Sequence, residues 1–279
     1  MSEVIKPFRW DITRREQVGS LVNANLPEIP AGVEGQLLAC CARVIAFAGD
    51  SDLVFVGRSP HPLFDLLSGL LVDTSWQPRL SIFGVSLGWW NDVRMRPRLK
   101  PYLEELGLAP ALFLHRERPA AFVDVVDEGS TFGGLIDVLH RFSREEGVEW
   151  AAMARKIRIV GLTWREKTSP KTWRWQQHRD WFELLQSRAI KNVSVEPDLF
   201  VFLSSGPKTS ISFSPWWWDD PGALEPLRDT ESLEALALGL HLFDFGRVRE
   251  NRFRFARELA GQPAMRDRWF RSLVLELKR

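Results

Sequence analysis

The sequence predicts an α/β protein with a parallel sheet flanked by helices. Short apolar runs, of the kind that form strands buried on both faces, alternate with stretches whose apolar residues recur at helical spacing. We interpret the runs 52–57, 80–86, 120–126, 156–164 and 198–203 as core strands. The runs ending at Gly57 and Val126 lead into a turn and then a helical pattern. Such strand–turn–helix units indicate parallel strands connected by helices.

Composition and charge place the chain in a broad class without naming a partner. The chain has 279 residues, 45% of them hydrophobic, and a net charge of +1, which predicts one large domain or a core with an appendage. The adjacent Cys40 and Cys41 lie in an apolar helical pattern, which favours buried thiols in a reducing compartment. Neither a signal-peptide pattern nor an apolar run of about eighteen residues is present, so we expect a cytoplasmic protein without a membrane partner.

The stretch 120–142 is the most informative part of the chain. Residues 120–126 form a strand pattern, residues 127–131 supply turn chemistry, and from Phe132 the apolar residues recur at helical spacing. Thr131 is a suitable N-cap for this helix. A short glycine turn entering a helix places free backbone N–H groups around one point, and the helix dipole adds to their attraction for a phosphate group.

The segment 123–131, Val-Asp-Val-Val-Asp-Glu-Gly-Ser-Thr, resembles the phosphoribosyl diphosphate signature of the type I phosphoribosyltransferases, most closely the hypoxanthine-guanine branch. That signature is a hydrophobic strand, two acidic residues, two hydrophobic residues and then Asp-Thr-Gly-Lys-Thr. The matching residues are Asp124, Asp127, Gly129 and Thr131. The chain departs from the signature at three positions, where Val123 replaces the first carboxylate, Glu128 a threonine, and Ser130 a basic or glycine residue.

The resemblance implies a role for each part of this segment. The turn residues Glu128, Gly129, Ser130 and Thr131 would hold the 5′-phosphate. Asp124 would bind the ribose hydroxyls, and Asp127 would lie near the base and accept its proton. The family also uses Mg²⁺, for which the resemblance implies Asp124 and, from the loop after the last strand, Asp219, or else Asp220, as ligands.

A second loop fits the same resemblance. Gly57, Arg58 and Ser59 follow the first core strand and look like the loop that grips the diphosphate, where an arginine has the required charge and reach. The alternative is an ordinary βα loop with a solvated arginine. The long connection 87–119 carries several basic residues and stands where the family has its mobile flap, although a solvated basic loop fits equally well. Residues 111–115 are predicted to form an extra strand.

Residues on the base side are assigned by a looser resemblance. The stretch 162–168 stands where the purine enzymes have a strand ending in a base-contacting lysine, so Arg165, or else Lys167, is expected to face a base carbonyl. The stretch 195–201 resembles the Lys-Pro-Asp-Phe-Val that opens their last core strand. Trp216, or another of the three tryptophans at 216–218, is expected to stack on the base, and the alternative is a tryptophan cluster that packs the domain against its tail.

The segment 169–192 interleaves tryptophan with arginine, a composition that suits single-stranded nucleic acid. A stripe facing the core explains its apolar residues more simply, and a net charge of +1 does not favour a nucleic-acid partner.

The expected organisation is an N-terminal segment at 1–34, a type I phosphoribosyltransferase-like domain at 35–225 and a helical appendage at 226–279, which docks on the core or on another subunit. The resemblance implies Mg²⁺-dependent exchange of the diphosphate of phosphoribosyl diphosphate for a nitrogenous base. The alternative is a catalytically degenerate relative that binds a nucleotide and acts as a sensor or assembly module.

Overall fold

The protein is built on one parallel sheet. The computed structural model describes residues 4–23, 25–86, 96–165, 175, 180–211, 217 and 224–279. The strands are β1 (Asp52–Val56), β2 (Leu80–Phe83), β3 (Ala120–Val126), β4 (Ile157–Trp164) and β5 (Ile190–Val195). Their order in the sheet is β2-β1-β3-β4-β5, and every neighbouring pair is parallel. The α/β class and the parallel sheet flanked by helices are therefore confirmed.

The helices cover both faces of the sheet. They are α1 (Arg15–Val18), α2 (Val33–Ala48), α3 (His61–Leu70), α4 (Arg96–Glu105), α5 (Pro110–His115), α6 (Ser130–Glu145), α7 (Trp150–Ala154), α8 (Pro197–Ser205), α9 (Thr230–Arg247), α10 (Arg249–Ala260) and α11 (Arg268–Glu276). One core lies between the sheet and α2, α3, α8 and the C-terminal helices. The other lies between the sheet and α4 to α7.

Two of the predicted strands are helices. Residues 198–203 belong to α8, whose first residue is Pro197, because a proline at the first helical position is preorganised for a helix and lacks only an N–H that the helix does not use. The fifth strand is instead 190–195, which lies at the end of the tryptophan- and arginine-rich segment. Residues 111–115 likewise belong to α5, which begins at Pro110.

The C-terminal helices pack directly on the core. Leu238 and Leu242 of α9, Phe255 of α10 and Phe270 of α11 belong to the same buried cluster as the sheet residues Leu53 and Val123. None of the described helices combines the length and apolar character that a membrane-spanning segment requires.

Candidate functional site

The strand order creates a crevice between β1 and β3. The connection leaving β1 leads to β2 on one side of it, and the next strand along the chain, β3, lies on its other side. This order is common in doubly wound sheets, where ligands bind outside the carboxyl ends of the strands at the point at which the order reverses. The site is therefore expected where β1 and β3 end, at Gly57 and at the turn after Val126.

A cavity of about 200 Å³ lies at this point, and we call it the switch-point cavity. It is lined by the loop Gly57, Arg58 and Ser59 after β1, by Asp124 and Val125 of β3, by Thr131 of α6, by Ser204 near the end of α8, and by Lys208 beyond that helix. Residues 84–86 after β2 close one side. The structure thus brings the loop assigned to the diphosphate and the residue assigned to the ribose into one cavity.

The loop after β1 is held in place by its backbone. Gly57 has a φ of +73°, a conformation that residues with a Cβ rarely adopt, and its N–H donates to the carbonyl of Phe83 at 2.9 Å. One guanidinium nitrogen of Arg58 donates to the carbonyl of Ser210 at 3.0 Å. Partial burial lowers the pKa of Arg58, against the opposing influence of Glu231. The arginine is therefore positioned at the cavity wall and is not freely solvated.

Asp124 is a buried carboxyl, 6% exposed. Burial raises its pKa to about 8, although the N–H of Val125, the Thr131 hydroxyl and the charge of Lys208 each lower it. The Val125 N–H donates to its Oδ1 at 2.7 Å. The side chain therefore exchanges its proton near neutral pH, and when protonated it can donate a hydrogen bond as well as accept one.

Lys208 also lies at this site, although no sequence pattern assigned it a role. Its Nζ donates to the carbonyl of Leu203 at 2.7 Å, and it lines the switch-point cavity with Asp124. Burial and then the charge of Arg58 lower its pKa to about 8, against the opposing influence of Asp124 and Glu231. The available signal was a lysine directly after the Gly206-Pro207 break.

Buried groups with opposite pKa shifts are typical of functional sites. Here a carboxyl and an ammonium group both have pKa values of about 8 and influence one another. With Arg58 nearby, the two cations outnumber the single carboxyl, so the charge of these three groups is positive at neutral pH whether or not Asp124 is protonated. An anion such as a phosphoryl group is the ligand that this arrangement favours.

The turn after β3 lines a second cavity of about 350 Å³, the turn cavity, formed by residues 124–132. It shares Asp124, Val125 and Thr131 with the switch-point cavity. Asp127, Glu128 and Ser130 are exposed on it, and Gly129 is buried. The N-cap prediction is wrong, because Gly129 occupies that position and α6 begins at Ser130. The Thr131 hydroxyl instead hydrogen-bonds Asp124.

Gly129 is required for packing as well as for its backbone conformation. Its φ is +78°, and a Cβ placed there would lie 2.3 Å from Cε3 of Trp175. Trp175 is 1% exposed, and its Nε1 donates to Oδ1 of Asn192 at 3.1 Å. Trp175 therefore packs directly against the turn at Gly129. Because Trp175 and Trp181 are both buried, neither is available to stack on a nucleic acid.

Val123, which replaces the first carboxylate of the family signature, faces away from the site. It is fully buried in the core that contains α2 and α3. The preceding Phe122 belongs to the opposite core, because successive strand residues point to opposite faces. A carboxylate at position 123 would lie in an apolar environment.

Of the two residues first assigned to the base, Arg165 and Trp216, Arg165 is the one within the described part of the chain. Arg165 forms an ion pair with Glu196, and its side chain is 67% exposed. Trp216, Asp219 and Lys167 lie outside the described residues. Of the basic residues in the predicted flap, Lys100 pairs at 2.9 Å with Glu146, the residue that follows α6.

The described residues of the switch-point cavity do not fit a protein-held Mg²⁺ ion. They supply one carboxyl, Asp124, with Lys208 and Arg58 nearby, and a search of the described residues finds no cluster of three groups that could ligate a metal. Magnesium prefers oxygen ligands in octahedral geometry, and two adjacent cations oppose its binding.

Comparison of the chain with family models, with curated proteins and with solved structures finds no match in any of the three. The interpretation of the site therefore depends on the residues and on their arrangement.

Proposed function

We propose that the protein binds phosphoribosyl diphosphate or a nucleoside monophosphate at the carboxyl ends of β1 and β3, and that it is a divergent phosphoribosyltransferase. One observation carries the proposal. Two loops distant in sequence, at 57–59 and around Asp124 and Thr131, line a single cavity. Its two cations are Arg58, from the first loop, and Lys208. These are the two loops that the family resemblance assigns to the diphosphate and to the ribose phosphate.

In this proposal the two cations bind the diphosphate. Arg58 offers a planar pair of donors, and Lys208 offers a compact ammonium group. The turn from Glu128 to Thr131 holds the 5′-phosphate through backbone N–H groups at the start of α6. Asp124 lies between these two anion sites, where it binds the ribose hydroxyls.

The same residues account for the transfer step. Negative charge accumulates on the diphosphate as its bond to C1 breaks, and Arg58 and Lys208 stabilise it in a partly buried site where electrostatic interactions are stronger than in water. Asp127 is exposed on the turn cavity and accepts the proton that the base loses.

Calorimetric titration with phosphoribosyl diphosphate tests the binding. Replacing either cation, as Arg58→Gln or Lys208→Gln, removes charge-assisted hydrogen bonds worth roughly 1.5–3 kcal/mol, so the affinity should fall by about one to two orders of magnitude. Lys191→Gln is the matched control, since Lys191 is exposed on β5 and outside the cavity. Equal affinities for all four proteins would refute the proposal.

A non-catalytic binder is the second candidate, and the orientation of Val123 favours it because only one strand carboxyl reaches the site. Release of diphosphate from phosphoribosyl diphosphate, measured with a panel of bases and Mg²⁺ in solution, separates the two. An enzyme should lose roughly ten- to ten-thousandfold in rate with Asp127→Asn while still binding the ligand. A binder should release no diphosphate with any base.

A further inference from the structure

The loop after β1 is tied to the segment that follows α8 by three contacts. A guanidinium nitrogen of Arg58 donates to the carbonyl of Ser210 at 3.0 Å. His61, the first residue of α3, brings its Nδ1 within 3.4 Å of the Thr209 hydroxyl, and its ring also hydrogen-bonds the backbone of Gly57. His61, Thr209 and Ser210 are all buried. Hydrogen bonds between buried groups are electrostatically stronger than in water, so the two segments are held in a fixed relation.

This arrangement positions two cations in the switch-point cavity, Arg58 and Lys208, which we call the cation pair. Lys208 directly precedes the buried Thr209, and its Nζ donates to the carbonyl of Leu203 at 2.7 Å. Both cationic side chains are half-buried and line the cavity. Each has further donors for a ligand, because an ammonium group has three N–H donors and a guanidinium group has five. Donors that are held in place before a ligand arrives lose little conformational entropy when it binds.

The charge of the cation pair equals that of one Mg²⁺ ion. Asp124 is the one carboxyl among the described residues that line the cavity. Glu231 interacts with both cations through its charge, but it does not line the cavity. A single carboxyl is a poor set of ligands for an ion that requires octahedral oxygen coordination, and two nearby cations repel that ion. The same cavity therefore attracts a diphosphate group and disfavours a metal ion.

We infer that the cation pair takes the place of the metal ion of the family that residues 123–131 resemble, so that the protein binds the diphosphate group as the metal-free anion. The inference rests on the proposed function and specifies the form in which its ligand is bound. Lys208 determines this form, because the resemblance assigns the Arg58 loop to the diphosphate but assigns no cation at position 208. Mg²⁺ in solution then opposes binding, since its complex with the diphosphate carries less negative charge for the cation pair to attract.

Calorimetric titration of the native protein with phosphoribosyl diphosphate tests the inference, in buffer freed of divalent metals and again with excess Mg²⁺. Binding should occur in the metal-free buffer, and excess Mg²⁺ should weaken the apparent affinity. If binding requires Mg²⁺ or is tightened by it, the inference is wrong and the proposed function stands. If phosphoribosyl diphosphate binds in neither buffer, the inference is again wrong, and the proposed function fails with it unless a nucleoside monophosphate binds.

Removing one cation should reverse the effect of Mg²⁺. In metal-free buffer, Lys208→Gln should bind phosphoribosyl diphosphate about one to two orders of magnitude more weakly than the native protein. Excess Mg²⁺ should then tighten binding to this variant, because the metal supplies the charge that the variant lacks. If Mg²⁺ instead weakens binding to Lys208→Gln as it does to the native protein, Lys208 does not stand in the place of a metal ion, and the inference is overturned.

Two further variants show whether this reversal is specific. Lys208→Arg keeps the charge and should respond to Mg²⁺ as the native protein does. Lys191→Gln is the matched control for the loss of one lysine, because Lys191 is exposed on β5 and does not line the cavity, and it should also respond as the native protein does. A reversal in Lys191→Gln would show that the effect follows from net charge alone and would overturn the assignment to Lys208. Thermal melting establishes that each variant is folded, and the titration of the native protein decides the question even if Lys208→Gln does not fold.

Discussion

At the scale of single residues, the charge of Asp124 links the site to the stability of the protein. The folded-state pKa of this carboxyl is about 8, well above the unfolded value of about 3.9. Between these values the folded state binds a proton that the unfolded state does not, so the free energy of unfolding falls as pH rises from about 4 to about 8, by up to about 1.4 kcal/mol per pH unit. Lys208 has the opposite linkage, because its lowered pKa of about 8 makes the free energy of unfolding rise again between about pH 8 and pH 10.4.

Asp124→Asn should remove the part of this pH dependence in which the free energy of unfolding falls as the pH rises from about 4 to about 8. The amide has nearly the same shape and cannot ionise, so chemical denaturation between pH 4 and pH 8 should show a shallower fall than in the native protein. Thr131→Ala provides a second comparison, because loss of its hydrogen bond to Asp124 should raise the carboxyl pKa further and extend the fall to higher pH. Parallel pH profiles for the native protein and Asp124→Asn would show that Asp124 does not titrate in this range.

Val123→Asp is expected to destabilise the protein without improving the site. The new carboxylate would be buried in the apolar core beside α2 and would cost several kcal/mol in the free energy of unfolding. Urea denaturation measures this cost, and titration with phosphoribosyl diphosphate should show no gain in affinity. A stable variant with tighter binding would mean that the side chain at position 123 points into the site.

Local sequence patterns predict the site residues that belong to one strand–turn–helix segment. They do not predict site residues that reach the cavity from a distant part of the chain. Asp124 and Thr131 were found because they belong to one strand–turn–helix segment, and Arg58 was found because it follows another buried strand. Lys208 reaches the same cavity only through the path of α8, which the sequence analysis interpreted as a strand. Because this helix was interpreted as a strand, the position of Lys208 at the cavity was not predicted.

At the scale of elements, an apolar run of five residues is ambiguous between helix and strand. The run 199–203 belongs to α8, in which Leu199 and Leu203, four residues apart, are buried and Val201 is 50% exposed. A strand would have buried alternate residues or all of them. In β3, by contrast, only Val125 is partly exposed, and this strand was predicted with its correct bounds. Residues on both faces of β3 are buried, whereas α8 buries one side only. A single sequence does not show this difference in burial.

The two glycines that flank α6 allow the Trp175 contact to be measured separately. Gly129 and Gly147 both have positive φ angles, but a Cβ at Gly147 would meet nothing within 4 Å, whereas one at Gly129 would lie 2.3 Å from Trp175. Gly147→Ala should therefore cost about 1 kcal/mol in the free energy of unfolding, for backbone strain alone. Gly129→Ala should cost roughly 1–3 kcal/mol more, because the buried indole must move.

Chemical denaturation of both variants gives the difference, and the turn cavity provides a second readout. Movement of Trp175 displaces the turn at 127–131, so Gly129→Ala should also weaken the binding of phosphoribosyl diphosphate, whereas Gly147→Ala should not. Equal stabilities for the two variants would contradict the close approach of Trp175 to Gly129.

At the scale of the whole molecule, the C-terminal helices complete the core that supports the site. Helix α3, which begins at His61 directly after the Arg58 loop, packs against α9 with close backbone contact. A Cβ at Gly246 would lie 2.7 Å from the carbonyl oxygen of Leu66, and one at Gly69 would lie 2.0 Å from that of Phe243. The position of α3, and with it the loop after β1, therefore depends on α9.

Gly246→Ala tests this dependence, and Gly35→Ala is its matched control. Both glycines are inside helices, but a Cβ at Gly35 would meet only a nitrogen of the flexible Arg254 side chain at 3.7 Å. Gly35→Ala should raise the free energy of unfolding by about 0.5–1 kcal/mol, because alanine is the better helix former. Gly246→Ala should lower it by roughly 1–3 kcal/mol, since α9 must move away from α3. It should also weaken phosphoribosyl diphosphate binding, because His61 and the Arg58 loop move with α3. If Gly246→Ala stabilises the protein as Gly35→Ala does, α9 does not pack on α3 in the manner described, and the C-terminal helices do not support the site.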